Sequence, residues 1–121
     1  MNGIELLRVI SGFVTLIGER RDTDIKRYEY DGYAFGNYDI IFSVDRISVN
    51  LNSDRGHLSV LVGMGRHKLV DYFRLATGCL GEHYDCNSYP EQERLHQALE
   101  RIFDSIDCVE EALSRKRSHT P

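Results

Sequence analysis

The spacing of apolar residues changes twice along the chain. In the last third, Leu95, Leu99, Ile102, Ile106, Val109 and Leu113 recur at spacings of 4, 3, 4, 3 and 4. That is an unbroken apolar seam on one face of an α-helix. Ser88, three residues before Glu91, is a capping-box signature, and Pro90 suits a first helical turn. Arg115, Lys116 and Arg117 put cations at the negative end of the helix dipole. A long helix is therefore predicted over 88–117. A second is predicted over 4–19, where Ile4, Leu6, Leu7, Val9, Ile10, Phe13, Val14, Leu16 and Ile17 cover about half of the helical circumference. So wide a face packs against more than one element, here the C-terminal helix and a sheet.

Between the two helices the period is two. Ile40, Phe42 and Val44 alternate with Ile41, Ser43 and Asp45, and Ile47, Val49 and Leu51 with Ser48, Asn50 and Asn52. The apolar phase slips by one at Asp45-Arg46, which requires a β-bulge or a break. Asn52 to Gly56 is turn chemistry, and Leu58, Val60 and Val62 form the next strand before a Gly63–Arg66 turn. Leu69 to Ala76 predicts a further strand, with a short helix as the alternative. Upstream, Asp31-Gly32 lies among Tyr28, Tyr30, Tyr33, Phe35 and Tyr38, a pattern that fits a hairpin or an aromatic loop over the sheet. The expected class is α+β. Two layers are expected: N- and C-terminal helices on one face of a three- to four-stranded antiparallel sheet, the other face left to water or a partner.

At 121 residues the chain makes one domain, expected over 1–117 with a flexible tail at 118–121. The formal charge of −4 argues against nucleic acid, whose phosphates need clustered Lys and Arg, and leaves room for a basic protein partner. No apolar run is long enough to cross a bilayer, and no basic stretch followed by an apolar run marks a secretory signal. Three cysteines at irregular spacing do not read as a disulfide framework, so a reducing cytoplasm is expected.

Candidate chemistry is sparse. Cys79, His83 and Cys86 are spaced C-x3-H-x2-C, with His96 and Cys108 as candidate fourth ligands, but the spacing matches no structural zinc pattern. Buried Cys79 and Cys108 beside a surface His83 is the expectation, with no metal and no cofactor. Gly63-x-Gly65 lacks the third glycine and following helix of a phosphate loop and reads as a turn. No nucleophile elbow or paired base is present, so no catalysis is expected. The sharpest feature is a strip of acids on the last helix: Glu93, Glu100, Asp104, Asp107 and Glu111. It lies roughly 150° around the helix from the apolar seam. Glu100 with Asp104, and Asp107 with Glu111, are like-charge i,i+4 pairs that each cost about 0.2–0.5 kcal/mol. Either Arg94, Arg101 and Arg115 relieve a solvated face, or the strip docks a basic protein. The tyrosine cluster likewise either caps one end of the core or offers aromatic anchors.

The stretch Phe42 to Val62, with Asp71-Tyr-Phe-Arg-Leu75, resembles bacterial immunity proteins that neutralise polymorphic or contact-dependent growth inhibition toxins. The resemblance implies a protein that binds one cognate toxin domain in the cytosol and blocks its active site or an essential surface. Many such toxins are nucleases with basic clefts, where a row of carboxylates would take phosphate positions. Glu100, Asp104, Asp107 and Glu111 are then the expected electrostatic contacts, and Tyr30, Tyr33 and Phe35 the aromatic ones. The chain would be a monomer or weak homodimer. One alternative is a homo-oligomeric adaptor whose helix seam pairs with a second copy. Another is a small enzyme or ligand-binding domain using the tyrosines and His57 or His67, marked by a deep polar pocket with a shifted titrating group.

Overall fold

The structure, a computed structural model, describes residues 2–33, 36–65 and 68–118, with side chains as far as Arg115. Helix α1 (Gly3–Gly18) leads into strands β1 (Thr23–Asp31), β2 (Asn37–Val44), β3 (Ile47–Asp54), β4 (His57–Met64) and β5 (Val70–Asp71). Helix α2 (Tyr72–Leu80), a 3-10 turn (Cys86–Ser88) and helix α3 (Glu91–Ser118) complete the described chain. The class is α+β. The sheet is an antiparallel meander in the order β1-β2-β3-β4-β5.

The sheet has five strands rather than three to four. Asp31-Gly32 does turn a hairpin, so the tyrosine-rich segment enters the sheet as β1, paired from Thr23↔Val44 to Asp31↔Asn37. The phase slip at Asp45-Arg46 is a break: Val44 pairs with Ile47, and Asp45 takes the turn with φ at 54°. The next hairpin closes on Asp54↔His57, with Arg55 and Gly56 both left-handed at φ 52° and 82°. Two positive φ values in a two-residue loop match the right-handed twist of the flanking strands.

The strand expected over 69–76 is corrected. Only Val70 and Asp71 pair with β4, and a helix follows. Asp71 caps it, its carboxylate accepting from the Phe73 amide at 3.0 Å, and Gly81 ends it at φ 74°. Helical folding buries Tyr72 and Ala76, four residues apart, on one face. The capping box at Ser88 is also corrected. Helix α3 begins at Glu91, two residues later than a Ser88 cap requires, and the Ser88 hydroxyl donates to the Asp85 carbonyl at 2.8 Å. A capping box does form at Asn2 and Glu5, where α1 starts.

The alternation of β2, β3 and β4 puts Ile40, Phe42, Val49, Leu51, Val60 and Val62 on the inner face, all buried. Leu6 and Ile10 of α1 and the whole α3 seam from Leu95 to Leu113 meet them in one core. Helix α1 lies over β1, α3 over β4, and α2 packs on α3. The seam is spent on the sheet, so it does not offer itself to a second copy.

A further correction concerns cysteine. Cys79 and Cys108 form a disulfide between α2 and α3, with Cα atoms 5.9 Å apart. Spacing along the chain hid this pair, because only the folding of 72–80 as a helix brings Cys79 beside α3. Cys86 is buried and free.

Two buried tyrosines give a paired test. The Tyr72 hydroxyl is 2.7 Å from Ser105 Oγ, whereas the Tyr84 hydroxyl has no hydrogen-bond partner among the described residues. Tyr72→Phe is expected to cost about 1 kcal/mol in denaturant unfolding. Tyr84→Phe is expected to be neutral or to stabilise by up to about 1 kcal/mol, because it removes a desolvated group that bonds nothing. Equal losses in the two variants would contradict this account.

Candidate functional site

The acidic strip is where the helical period puts it. Glu93, Glu100, Asp104, Asp107 and Glu111 are all exposed, opposite the buried seam. The arginines expected to relieve it mostly go elsewhere. Arg94 donates to the Tyr89 carbonyl at 3.1 Å and to the Gly56 carbonyl. Arg101 lies over the Tyr84 ring, 5.5 Å from its centroid, and reaches Glu82 at 4.0 Å. Both therefore face away from the strip.

Among the described residues relief reaches the strip only at Asp107, from the segment between α1 and β1. Arg21 bridges Asp107 at 2.5 Å and Asp45 at 2.9 Å. Its pKa is raised from the ordinary value, first by the hydrogen bond to Asp107 and then by that to Asp45. Arg46 pairs with Glu110 at 2.7 Å. Asp107 thus holds α3 to the turn. Among the described side chains no cation pairs with Glu93, Glu100, Asp104 or Glu111.

The tyrosine cluster divides by strand face. Tyr28, Tyr30 and Tyr38 turn inward and pack against the core. Tyr28 donates to the Gly3 carbonyl at 2.7 Å, and the Tyr30 ring abuts Gly3 so closely that a Cβ there would lie 2.9 Å away. Burial pushes the Tyr38 phenol up to about 12. Tyr33, at the hairpin tip, is fully exposed. Phe35 lies outside the described residues, as does His67.

The zinc grouping does not assemble. Cys79 is committed to the disulfide, and burial, with Asp85 nearby, pushes the Cys86 thiol up to about 12. Among the described residues no cluster of three His, Cys, Asp or Glu side chains could hold a metal. No described helix is long and apolar enough to cross a membrane.

Two clefts were not legible beforehand. One, of about 300 Å³, lies at the hairpin end of the sheet, where Tyr30, Tyr38, Ser53, Glu91 and Arg94 converge. The larger, of about 820 Å³, lies between α1 and α3. Phe13, Leu16 and Ile17 face Phe103 and Ile106 across its floor, and Glu100 and Asp104 of the acidic strip form its α3 wall. Comparison with known proteins gives no relative: no family model matches the chain, and no curated protein or solved structure matches it.

The outward face of the sheet is mostly polar, with Ile41 and Leu61 flanking Asn50 on it. Asp39 accepts from Asn50 Nδ2 at 2.8 Å and pairs with Arg27 at 3.4 Å. Ser43, Ser48 and Asn52 share that face, so it can meet water without cost to the core.

Proposed function

We propose that this chain is an immunity-type protein that binds a cognate bacterial toxin domain and neutralises it by occupying a basic surface, without catalysis of its own. The observation that carries the reading is the row of exposed carboxylates on α3, of which Asp107 is paired with Arg21 while Glu93, Glu100, Asp104 and Glu111 have no described cation partner. Like charges at i,i+4 oppose the helix they sit on. A basic partner relieves that repulsion and is steered toward it. The net charge of −4 acts in the same direction. A cytoplasmic setting belongs to this proposal. The Cys79–Cys108 bond weighs against it, because disulfides are rare in the reducing cytosol. A cytosolic protein would carry this pair as thiols.

The test is co-expression of the tagged chain with the toxin-like domain encoded beside it. A stoichiometric complex is expected, weakened by added salt and weakened about tenfold or more by Asp104→Lys, which reverses an exposed charge without touching the core. A complex indifferent to both salt and Asp104→Lys would remove the electrostatic argument. A chain that binds and protects against no neighbouring product would remove the immunity reading. The cleft holding Tyr38, Glu91 and Arg94 favours a second reading, a small-ligand domain, since it joins converging polar groups to a shifted phenol.

A further inference from the structure

We infer that the α1–α3 cleft, rather than the acidic strip along its whole length, is the seat of the partner: it takes a basic protein segment that inserts one apolar side chain between Leu16 and Phe103 and lays its cations on Glu100 and Asp104. This rests on the reading of the chain as a binding protein, and it names the surface and the chemistry of the occupant.

Three features of the cleft lead there. The first is shape. Helices α1 and α3 both pack down onto the sheet, and aromatic rings bridge them: Phe13 stacks on Phe103 at 5.8 Å and meets His96 at 6.0 Å. Toward the C-terminal end of α1 the bridging stops and a cleft of about 820 Å³ opens. The second is an apolar floor left to water. Leu16 is 62% exposed although it lines the same cleft as the half-buried Phe103. No described element covers it. A leucine at the lip of an aromatic floor is the kind of contact that an inserted side chain completes, and amphipathic segments bind grooves of this type through such anchors.

The third feature is charge, and it selects the occupant. Glu19, Asp45, Glu100 and Asp104 line the cleft against Arg20 and Arg21. Arg21 is already committed to Asp45 and Asp107. The α3 wall therefore presents two unpaired carboxylates at the edge of an apolar floor. A segment carrying arginine or lysine beside its apolar anchor satisfies both at once, whereas an acidic segment or a nucleic acid would be repelled. The ends of the strip, Glu93 and Glu111, have charge but do not line this cleft.

The test uses the whole chain, isotope-labelled, and a short synthetic peptide with leucine and arginine at helical spacing. The expected result is saturable amide shifts concentrated at Gly12–Arg21 and Glu100–Asp107. Leu16→Asp should weaken that binding at least about tenfold, while its thermal midpoint stays close to the parent's because the side chain is exposed. Shifts spread over Glu93, Glu111 and the open sheet face, or equal binding by Leu16→Asp, would overturn the inference, since charge alone would then account for binding. Concentration-dependent shifts of the same residues without peptide would overturn it in favour of a second copy. Co-expression separates this from the parent proposal. A toxin complex that survives Leu16→Asp but not Asp104→Lys removes the cleft and keeps the immunity reading. A peptide that seats in the cleft when no neighbouring toxin binds keeps the cleft and removes that reading.

Discussion

Replacing Cys79 and Cys108 by serine lowers the unfolding free energy by about 3–4 kcal/mol, relative to the oxidised chain, on the loop-closure account of disulfides. The bond closes a loop between residues separated by 29 positions and joins α2 to α3. Without it the unfolded chain regains the freedom of that loop, and the folded chain loses its covalent tie. The burial of Tyr72 and Ala76, the Tyr72–Ser105 hydrogen bond and the packing of Phe73, Leu75 and Leu80 on the core still hold α2. Urea titrations of the oxidised chain, the reduced chain and the double serine variant check this. The reduced chain and the serine variant should coincide, both well below the oxidised form. Coincidence of all three would show that the bond adds nothing to stability. The result also bears on the proposed cytosolic role, because a reduced chain must still fold and bind if it acts there.

Raising the pH through the alkaline range unfolds the protein cooperatively, with stability intact below about pH 9 and lost progressively toward pH 12. Burial holds the Tyr38 phenol and the Cys86 thiol at about 12, against ordinary values of 10.0 and 9.0, and raises Tyr72 and Tyr84 as well. In the unfolded chain these groups ionise near their ordinary values while the native protein keeps them neutral. The unfolded state then binds fewer protons than the native one, so stability falls as pH rises. Each group contributes a slope of about 1.4 kcal/mol per pH unit between its unfolded and folded pKa values. For Tyr38 that accumulates to roughly 3 kcal/mol by pH 12. Thermal midpoints measured from neutral pH upward should decline steeply, and Tyr38→Phe should shallow the decline. A midpoint flat to pH 12 would mean that these groups are hydrated in the native state.

Both effects arise from parts of the chain that the linear pattern described unevenly. The seam of α3, the inward faces of β2 to β4 and the break at Asp45-Arg46 all followed from periods of 3.6 and 2, and every seam residue from Leu95 to Leu113 is buried. The acidic strip was legible for the same reason, since a helix fixes which residues share a face. These are relations between near neighbours, which local geometry settles without reference to the rest of the fold.

Residues 69–76 fell short because a brief apolar run fits strand and helix alike, and the decision rested on the Asp71 cap and the left-handed Gly81. The aromatic segment entered the sheet because it had a neighbour to pair with, adding a strand that its own turn residues left open. Other features had no local signal at all. Arg21 meets Asp107 across 86 positions, and Cys79 meets Cys108 across 29. Arg94 and Arg101 leave the strip because Gly56 and Tyr84 happen to lie on their side of α3. The cleft between α1 and α3 stays open beside Leu16, which no described element covers. The sequence by itself determined the two long helices, strands β2 to β4, their inward faces and the charge α3 carries outward. Only the packed chain decided which carboxylates are neutralised, which cysteines meet and where an apolar floor stays open, because those outcomes depend on distances between elements that no local period encodes.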